Sequence, residues 1–434
     1  MVKFTNIFKA PVVGETYIFL IQYIASEEGE EVDLINQLWV YHTLLIFTLS
    51  VAVVILMILR KIDISIAFGS GLAIFLTLNF YNDLNKLADV LLDSFNVSVA
   101  YTLVALIQAM FLADLYRETG VAEKMINGLS CLGRVFAGVA TPALIGLLPM
   151  PGGAYVSAVL ADPVYKDLRL NSEAKTYVNY WFRHIWIPIW PLYQNIIIAS
   201  AILGLSVGDI IEINWKITLL SIIVGLVILF SVFKKSQGPI ESESNRNCSV
   251  INIYHIWPLV LIALLTLVIR ISLPLSLLIT ILLFYLLYRP SKEAIHRALK
   301  YSLNISIIIL IVEIFIYSSA IKYTDLANEL NNFFAGNIAI GVFMIPFIIG
   351  FATSAEFAYV ALSFPPFLDV FSRNPALLAI AFAGGYMGVM MSPSHACLIL
   401  SVKYYKADLV KTYRYILPSV ATTSTLVAIL YMLH

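Results

Sequence analysis

An apolar segment that breaks in its middle, PALIGLLPMPGGAYVSAVLADP from Pro142, is written a second time from Pro346 as PFIIGFATSAEFAYVALSFPP. Laid on one another, Pro142 meets Pro346, Ile145 and Gly146 meet Ile349 and Gly350, and Ala154, Tyr155 and Val156 meet Ala358, Tyr359 and Val360. Between those anchors the copies diverge. The first carries Pro149, Met150, Pro151, Gly152 and Gly153, which cannot continue a helix, whereas the second puts hydroxyls and a carboxylate there with Thr353, Ser354, Ala355 and Glu356. A duplicated, interrupted apolar segment is the pattern that points to the binding site of a secondary transporter.

The rest of the chain agrees with a membrane setting. Of 434 residues 60% are hydrophobic and 12% charged, which argues against a soluble globular fold and for an all-α polytopic membrane protein. A formal net charge of +0 gives no electrostatic reason to expect nucleic acid as a partner. Cys131, Cys248 and Cys397 have neither metal-site nor redox spacing, and GxxxxGK[ST] occurs nowhere, so no metal, bound cofactor or direct ATP drive is expected.

A spanning helix needs about 20 apolar residues, and such segments come in two blocks. The first, 39–235, holds Trp39–Leu59, Ile62–Phe80, Asn96–Leu115, a broken segment at 135–160, a broken helix at 177–204 and Trp215–Phe233. The second, 251–434, holds Ile251–Ile269, Ile271–Tyr288, Tyr301–Ile321, a broken segment at 338–364, a broken helix at 375–402 and Tyr413–Tyr431. The polar stretch 236–250 reads as a cytoplasmic linker. Residues 1–38 read as an external segment, with Pro11–Ala25 too short for a span and suited to an interfacial helix.

Lysine and arginine bias orients the blocks. Arg60 and Lys61 mark a cytoplasmic loop, and Asp83, Asp89 and Asp93 an external one. Arg117, Lys124 and Arg134 precede the segment at 135–160, and Lys166, Arg169 and Lys175 follow it, so both its ends are cytoplasmic and it must re-enter as a hairpin. Arg289, Lys292, Arg297 and Lys300, with Lys403, Lys406, Lys411 and Arg414, make the segment at 338–364 re-enter from outside. Each half then has five transmembrane helices plus one re-entrant hairpin. Five is odd, so the halves form two inverted-topology repeats, with both termini external.

The helix after each hairpin is broken as well, by Pro188 and Pro191 in WIPIWPLYQN and by GGYMGVMMSPSH from Gly384 to His395. Two hairpin tips and two unwound helices are expected to meet near the midplane, where helix N-termini suit an anion and carbonyls and hydroxyls suit Na⁺. The expected substrate-binding residues are Met150, Gly152, Gly153, Gln194 and Asn195 from one half and Thr353, Ser354, Ser392 and Ser394 from the other. Glu356, His395 and Glu313 are ionisable at membrane depth and are the expected ion- or proton-coupling groups.

Each has a plainer reading. Pro and Gly clusters commonly mark only a kink, Glu356 and Glu313 could be buried structural acids, and His395 could be hydrated near the cytoplasmic end. Arg183 and His184, in NYWFRHIW, read at least as well as an interface anchor among aromatics as they do as substrate attraction. Asp114 reads as an interfacial partner of Arg117. Ser394 beside His395 is weak evidence for a hydrolase, because a nucleophile and its base must meet in space rather than in sequence.

GLLPMPGGAYVSA from Gly146, NYWFRHIWIPIWPLY from Asn179 and MSPSHACLILSVKYY from Met391 resemble the signature stretches of a family of prokaryotic integral membrane proteins of unknown function. That family is placed in the ion transporter superfamily, beside citrate and divalent-anion/sodium symporters, gluconate permeases and arsenite transporters. The resemblance covers Trp39 to the C-terminus and implies a homodimer in the prokaryotic inner (plasma) membrane. It also implies an elevator-type transporter, whose hairpins and broken helices move against a scaffold. The divalent-anion/sodium relatives use Ser-Asn-Thr motifs at their tips. The different tip residues here put H⁺ beside Na⁺ as the coupling ion.

The expectation is therefore a secondary active transporter of a small anion, an organic carboxylate foremost, coupled to Na⁺ or H⁺, and not an enzyme. A cation/proton antiporter using Glu356 and Glu313 is the alternative. An intramembrane enzyme ranks below both.

Overall fold

The computed structural model describes residues 41–129, 131, 133–148, 152–235, 249–334 and 336–432, and every regular element among them is helical. The expectations for 1–38, for Met150 and for linker residues 236–248 lie outside the described residues. The first half runs α1 (His42–Leu59), α2 (Ile64–Phe80), α3 (Leu84–Ser94), α4 (Val97–Glu118), α5 (Val121–Leu129), α6 (Arg134–Gly146), α7 (Gly153–Asp167), α8 (Ser172–His184), α9 (Gln194–Leu203) and α10 (Val207–Lys235). After the linker, a 3₁₀ turn (Val250–Ile256), α11 (Trp257–Ala263) and a π turn (Leu264–Val268) form one bent rod. The remainder is α12 (Leu273–Tyr288), α13 (Lys292–Ser302), α14 (Ile305–Lys322), α15 (Leu326–Phe333), α16 (Ile338–Thr353), α17 (Glu356–Ser363), α18 (Leu368–Arg373), α19 (Pro375–Met391), α20 (Ala396–Tyr405) and α21 (Leu409–Met432).

Six helices among the described residues are long and apolar enough to cross a membrane: His42–Leu59, Val97–Glu118, Val207–Ser231, Val250–Val268, Lys292–Lys322 and Pro375–Tyr405. Ile64–Phe80 and Leu273–Tyr288 are apolar but shorter. Side-chain caps set several starts: Asp63 accepts from Ser65 N–H, Asn96 from Ser98, Asn171 from Ala174, Asn304 from Ser306, and Asn374 from Ala376 with Pro375 at the first helical position. The short helices α3, α5, α13 and α15 were not anticipated. Each has 8 to 11 residues and one apolar face, too little to register as a span.

Packing divides the helices into two groups. In one, α2 packs on α1 and α14, and α4 packs on α12 and α13. In the other, α8 packs on α6, α7, α20 and α21, while α19 packs on α16, α10 and α21. Contacts of α9 with α4, α17 with α14 and α16 with α1 join the groups. Within the first group the buried Glu329 of α15 caps α1, accepting N–H bonds from Thr43 at 3.3 Å and Leu44 at 2.7 Å.

Candidate functional site

The site is built around Arg183, near the end of α8. Its backbone lies so close to the first hairpin that a Cβ on Gly146 would come within 2.0 Å of the Arg183 carbonyl oxygen. Only glycine permits that approach. The Arg183 side chain then reaches the other limb of the hairpin, where a Cβ on Gly153 would sit 2.4 Å from Nη2 and 2.8 Å from both Cζ and Nη1. The guanidinium therefore lies flat on the start of α7, whose cap residue Gly152 has φ 68 and supplies no side-chain bond to the helix.

Arg183 is 5% exposed, and its Nε and Nη1 have no hydrogen-bond partner. A buried cation with open donors, set at the positive N-terminal end of a 15-residue helix, is an arrangement that favours an anion. Arg183 is not the interface anchor that its aromatic neighbours implied. It lies eight residues, about 12 Å of helix, beyond Lys175, and that depth was the available signal.

Residues of both halves surround it. The Arg183 charge acts on Tyr193 before α9, on Glu356 at the first position of α17, on His395 before α20, and on Cys397, which it also hydrogen-bonds. His395 is 6% exposed, and its Nε2 lies 3.4 Å from Nε2 of His184. His184 Nδ1 lies 2.6 Å from the Tyr180 carbonyl, and Tyr180 in turn donates its hydroxyl to the carbonyls of Val389 and Met390 at 3.3 and 3.2 Å. Ser392 is buried and its hydroxyl is 3.0 Å from that of Ser394, whereas Pro393, Ser394 and Ala396 are exposed. One ring nitrogen from each histidine and the Cys397 sulfur lie within 4.8 Å of one another, but the fixed charge of Arg183 counts against a metal cation among them.

The other expected residues fall as follows. Thr353 is buried and its hydroxyl donates to the Ile349 carbonyl at 2.7 Å, while Ser354 holds the tip at φ 55 and donates its own hydroxyl to the Thr353 carbonyl at 2.6 Å. Asn195 is a strut, with Nδ2 donating to the Ile187 carbonyl and the Tyr359 hydroxyl, each at 3.0 Å, and with Oδ1 buried and unpartnered. Gln194 is half-buried at the first position of α9. Gly152 is exposed. Glu313 does not join the Arg183 group. It faces α2, with its Oε1 2.7 Å from where a Gly69 Cβ would lie, and its electrostatic neighbour is Asp63. Asp114 pairs with Arg117 at 2.7 Å.

Side chains of α8 and α20 hold the first hairpin in place. Buried Asn179 of α8 donates to the Ala154 carbonyl at 3.0 Å and the Ser401 hydroxyl at 2.8 Å, and its Oδ1 accepts from Ser157 at 2.7 Å. Tyr405 donates to the Ala158 carbonyl at 3.0 Å. These bonds fix α7 to α8 and α20, and so fix the surface against which Arg183 lies. Elsewhere, a cavity of about 150 Å³ opens between α9 and α14, lined by Asp93, Asn96, Ile202, Ser318, Ser319 and Lys322.

Among the described residues every regular element is helical, and the six apolar helices of spanning length fit a multi-pass membrane protein. The chain belongs to the DUF401 family of proteins of unknown function, whose family model matches residues 42–433. No curated protein matches it.

Proposed function

We propose that the protein is a secondary active transporter of a small anion, an organic carboxylate foremost, moved together with Na⁺ or H⁺. The observation that carries this reading is Arg183, a buried cation with two unpartnered donor nitrogens lying on the N-terminal turn of α7. An anion there would accept from Nε and Nη1, with Ser392 and Ser394 in the break that carries His395 and Thr353 and Ser354 in the break that carries Glu356. The same fixed positive charge weighs against the antiporter alternative, which needs a site that attracts a cation.

The recurring order of elements supports inverted-topology repeats. The separate packing of α6–α10 with α16–α21 supports an elevator motion of that group against the scaffold of α1–α5 and α11–α15. A homodimer in a prokaryotic plasma membrane, joined through the scaffold, completes the reading, as does the resemblance to anion carriers of the ion transporter superfamily.

Thermal unfolding of the purified full-length protein against short carboxylates, sugar acids and inorganic oxyanions, with and without Na⁺ at two pH values, tests it. A bound anion at a hundred times its Kd stabilises by about 2.7 kcal/mol, and Arg183→Gln should abolish that shift while the protein remains folded. A shift with Na⁺ alone that survives Arg183→Gln and is lost in Glu356→Gln would favour the antiporter.

A further inference from the structure

We infer that the coupling ion is the proton and that the His184–His395 pair carries it, taking it up as the anion binds beside Arg183. The inference rests on the anion-transport reading above. The Tyr180 carbonyl can only accept, so neutral His184 holds its proton on Nδ1 and offers a bare Nε2. His395, 3.4 Å away, then donates from its own Nε2, which leaves its Nδ1 as a lone pair. That Nδ1 is buried and has no partner. An orphaned basic nitrogen in a satisfied chain is a vacancy for one proton, and the exposed residues Pro393, Ser394 and Ala396 on either side of His395 give water a route to it.

The charges around the pair make that proton conditional on the anion. The titratable and charged groups facing it are Arg183 and Tyr180 on α8, Tyr193 before α9, Glu356 on α17 and Cys397 on α20. A proton on His395 adds a second positive charge to a buried cluster that already holds Arg183. A bound anion adds a negative charge beside the pair, which offsets the Arg183 charge and so favours a proton on His395. Each event therefore favours the other, and linkage makes the effect reciprocal. Glu356 is the competing proton acceptor.

Calorimetric titration of the full-length protein decides it, in Na⁺-free buffers of different ionisation enthalpy, with acetate, gluconate and sulfate as probes because their own charge is constant across the neutral range. The expected result is uptake of about one proton per anion bound, with affinity falling roughly tenfold per pH unit above the pair's titration. His395→Gln should bind the probe without uptake and with a flat pH profile, and Glu356→Gln should keep the uptake. Binding by the wild type with no proton taken up overturns the inference and leaves anion binding intact, and this measurement needs no variant to fold. Uptake kept in His395→Gln and lost in Glu356→Gln also overturns it, moving the proton to the carboxylate. If no probe binds the wild type at any pH, the anion reading itself falls and the inference with it.

Discussion

The two hairpins begin from related sequence and are stabilised by different means. In the first, the last carbonyls of α6 are capped from outside: Trp186 donates its indole N–H to the Ala143 carbonyl at 2.8 Å, Trp190 to Leu147 at 2.7 Å, and the Tyr193 hydroxyl to Gly146 at 2.9 Å. All three donors come from WIPIWPLY, so the unwound stretch of one element closes the end of another. The second hairpin closes itself, because left-handed Ser354 turns its N–H onto the Gly350 carbonyl at 2.8 Å and Thr353 bonds to Ile349. Its contact with α19 is a seam of backbone on backbone, with Gly384 and Gly388 facing the carbonyls of Phe343 and Phe347. Side chains clamp the end of α6 in the first hairpin beside Arg183, whereas the self-closed second tip carries two hydroxyls and Glu356. The comparison teaches that the duplicated glycines conserve close approach, while the residues between them divide the charges of the site.

The largest expected effect breaks the close approach. A Cβ at Gly384 or Gly388 would lie 2.2 Å from a backbone oxygen, and at Gly146 2.0 Å from one, distances that no side-chain rotation relieves. Gly146→Ala, Gly384→Ala and Gly388→Ala should each cost about 3 kcal/mol or more or prevent folding, read as thermal midpoint and monodisperse yield. Gly208→Ala is the control. Its Cβ would meet only ordinary contacts at 3.6 Å or beyond, and the change should be neutral or stabilising by up to about 1 kcal/mol.

Next comes the clamp. Tyr193→Phe removes the donor to the Gly146 carbonyl and leaves that oxygen buried, at a cost of about 1 to 2 kcal/mol. Thr353→Val in the second hairpin removes a bond to a carbonyl, Ile349, within its own helix, and should cost less than about 1 kcal/mol. Equal costs would mean that the first hairpin does not depend on its external caps. A smaller effect of opposite sign is expected at the second tip. Ser354 sits at φ 55, so Ser354→Gly should raise the midpoint by the equivalent of about 0.5 to 1 kcal/mol, less what the lost hydroxyl bond contributed.

The first break was legible because proline and glycine in an apolar run leave few backbone options, and the second through its duplication of the first: α7 starts at Gly153, directly after Gly152 at φ 68, and α17 at Glu356, two residues after Ser354 at φ 55. The depth and partners of Arg183 were not. Flanked by Trp181, Phe182 and Trp186, it has the composition of an interface anchor, and only the packing of α6 and α7 over α8 turns it inward. The His184–His395 contact joins residues 211 apart, a pairing that no local pattern encodes. Glu313 lies apart from the Arg183 group, since depth along a span says nothing about which way a residue faces.

The hairpins also differ where their outer limbs end. The second runs into an aromatic cluster of Phe364, Phe367 and Phe371, with ring centroids 5.4 and 6.1 Å apart for the pairs with Phe371. The first ends on ions: Asp162 of α7 bonds Lys166 at 2.7 Å and Lys175 of α8 at 2.9 Å. Partial burial pushes the Asp162 carboxyl up, but the bonds and charges of the two lysines outweigh it and hold it below the usual carboxylate range. Because the folded pKa is the lower one, this contribution is complete above the unfolded value and is lost as pH falls through the folded value. The pair between α7 and α8 is the half that touches the site, since it fixes the base of the limb on which Arg183 lies. Acidification should therefore lower the midpoint of the wild type more than that of Asp162→Asn, by an amount worth less than about 1 kcal/mol for a partly exposed ion pair. The aromatic end of the second hairpin should contribute nothing to that difference, so Phe371→Leu should lower the midpoint equally at both pH values. A pH-dependent loss in Phe371→Leu, or none at Asp162, would break the contrast between an ionic and an apolar anchorage.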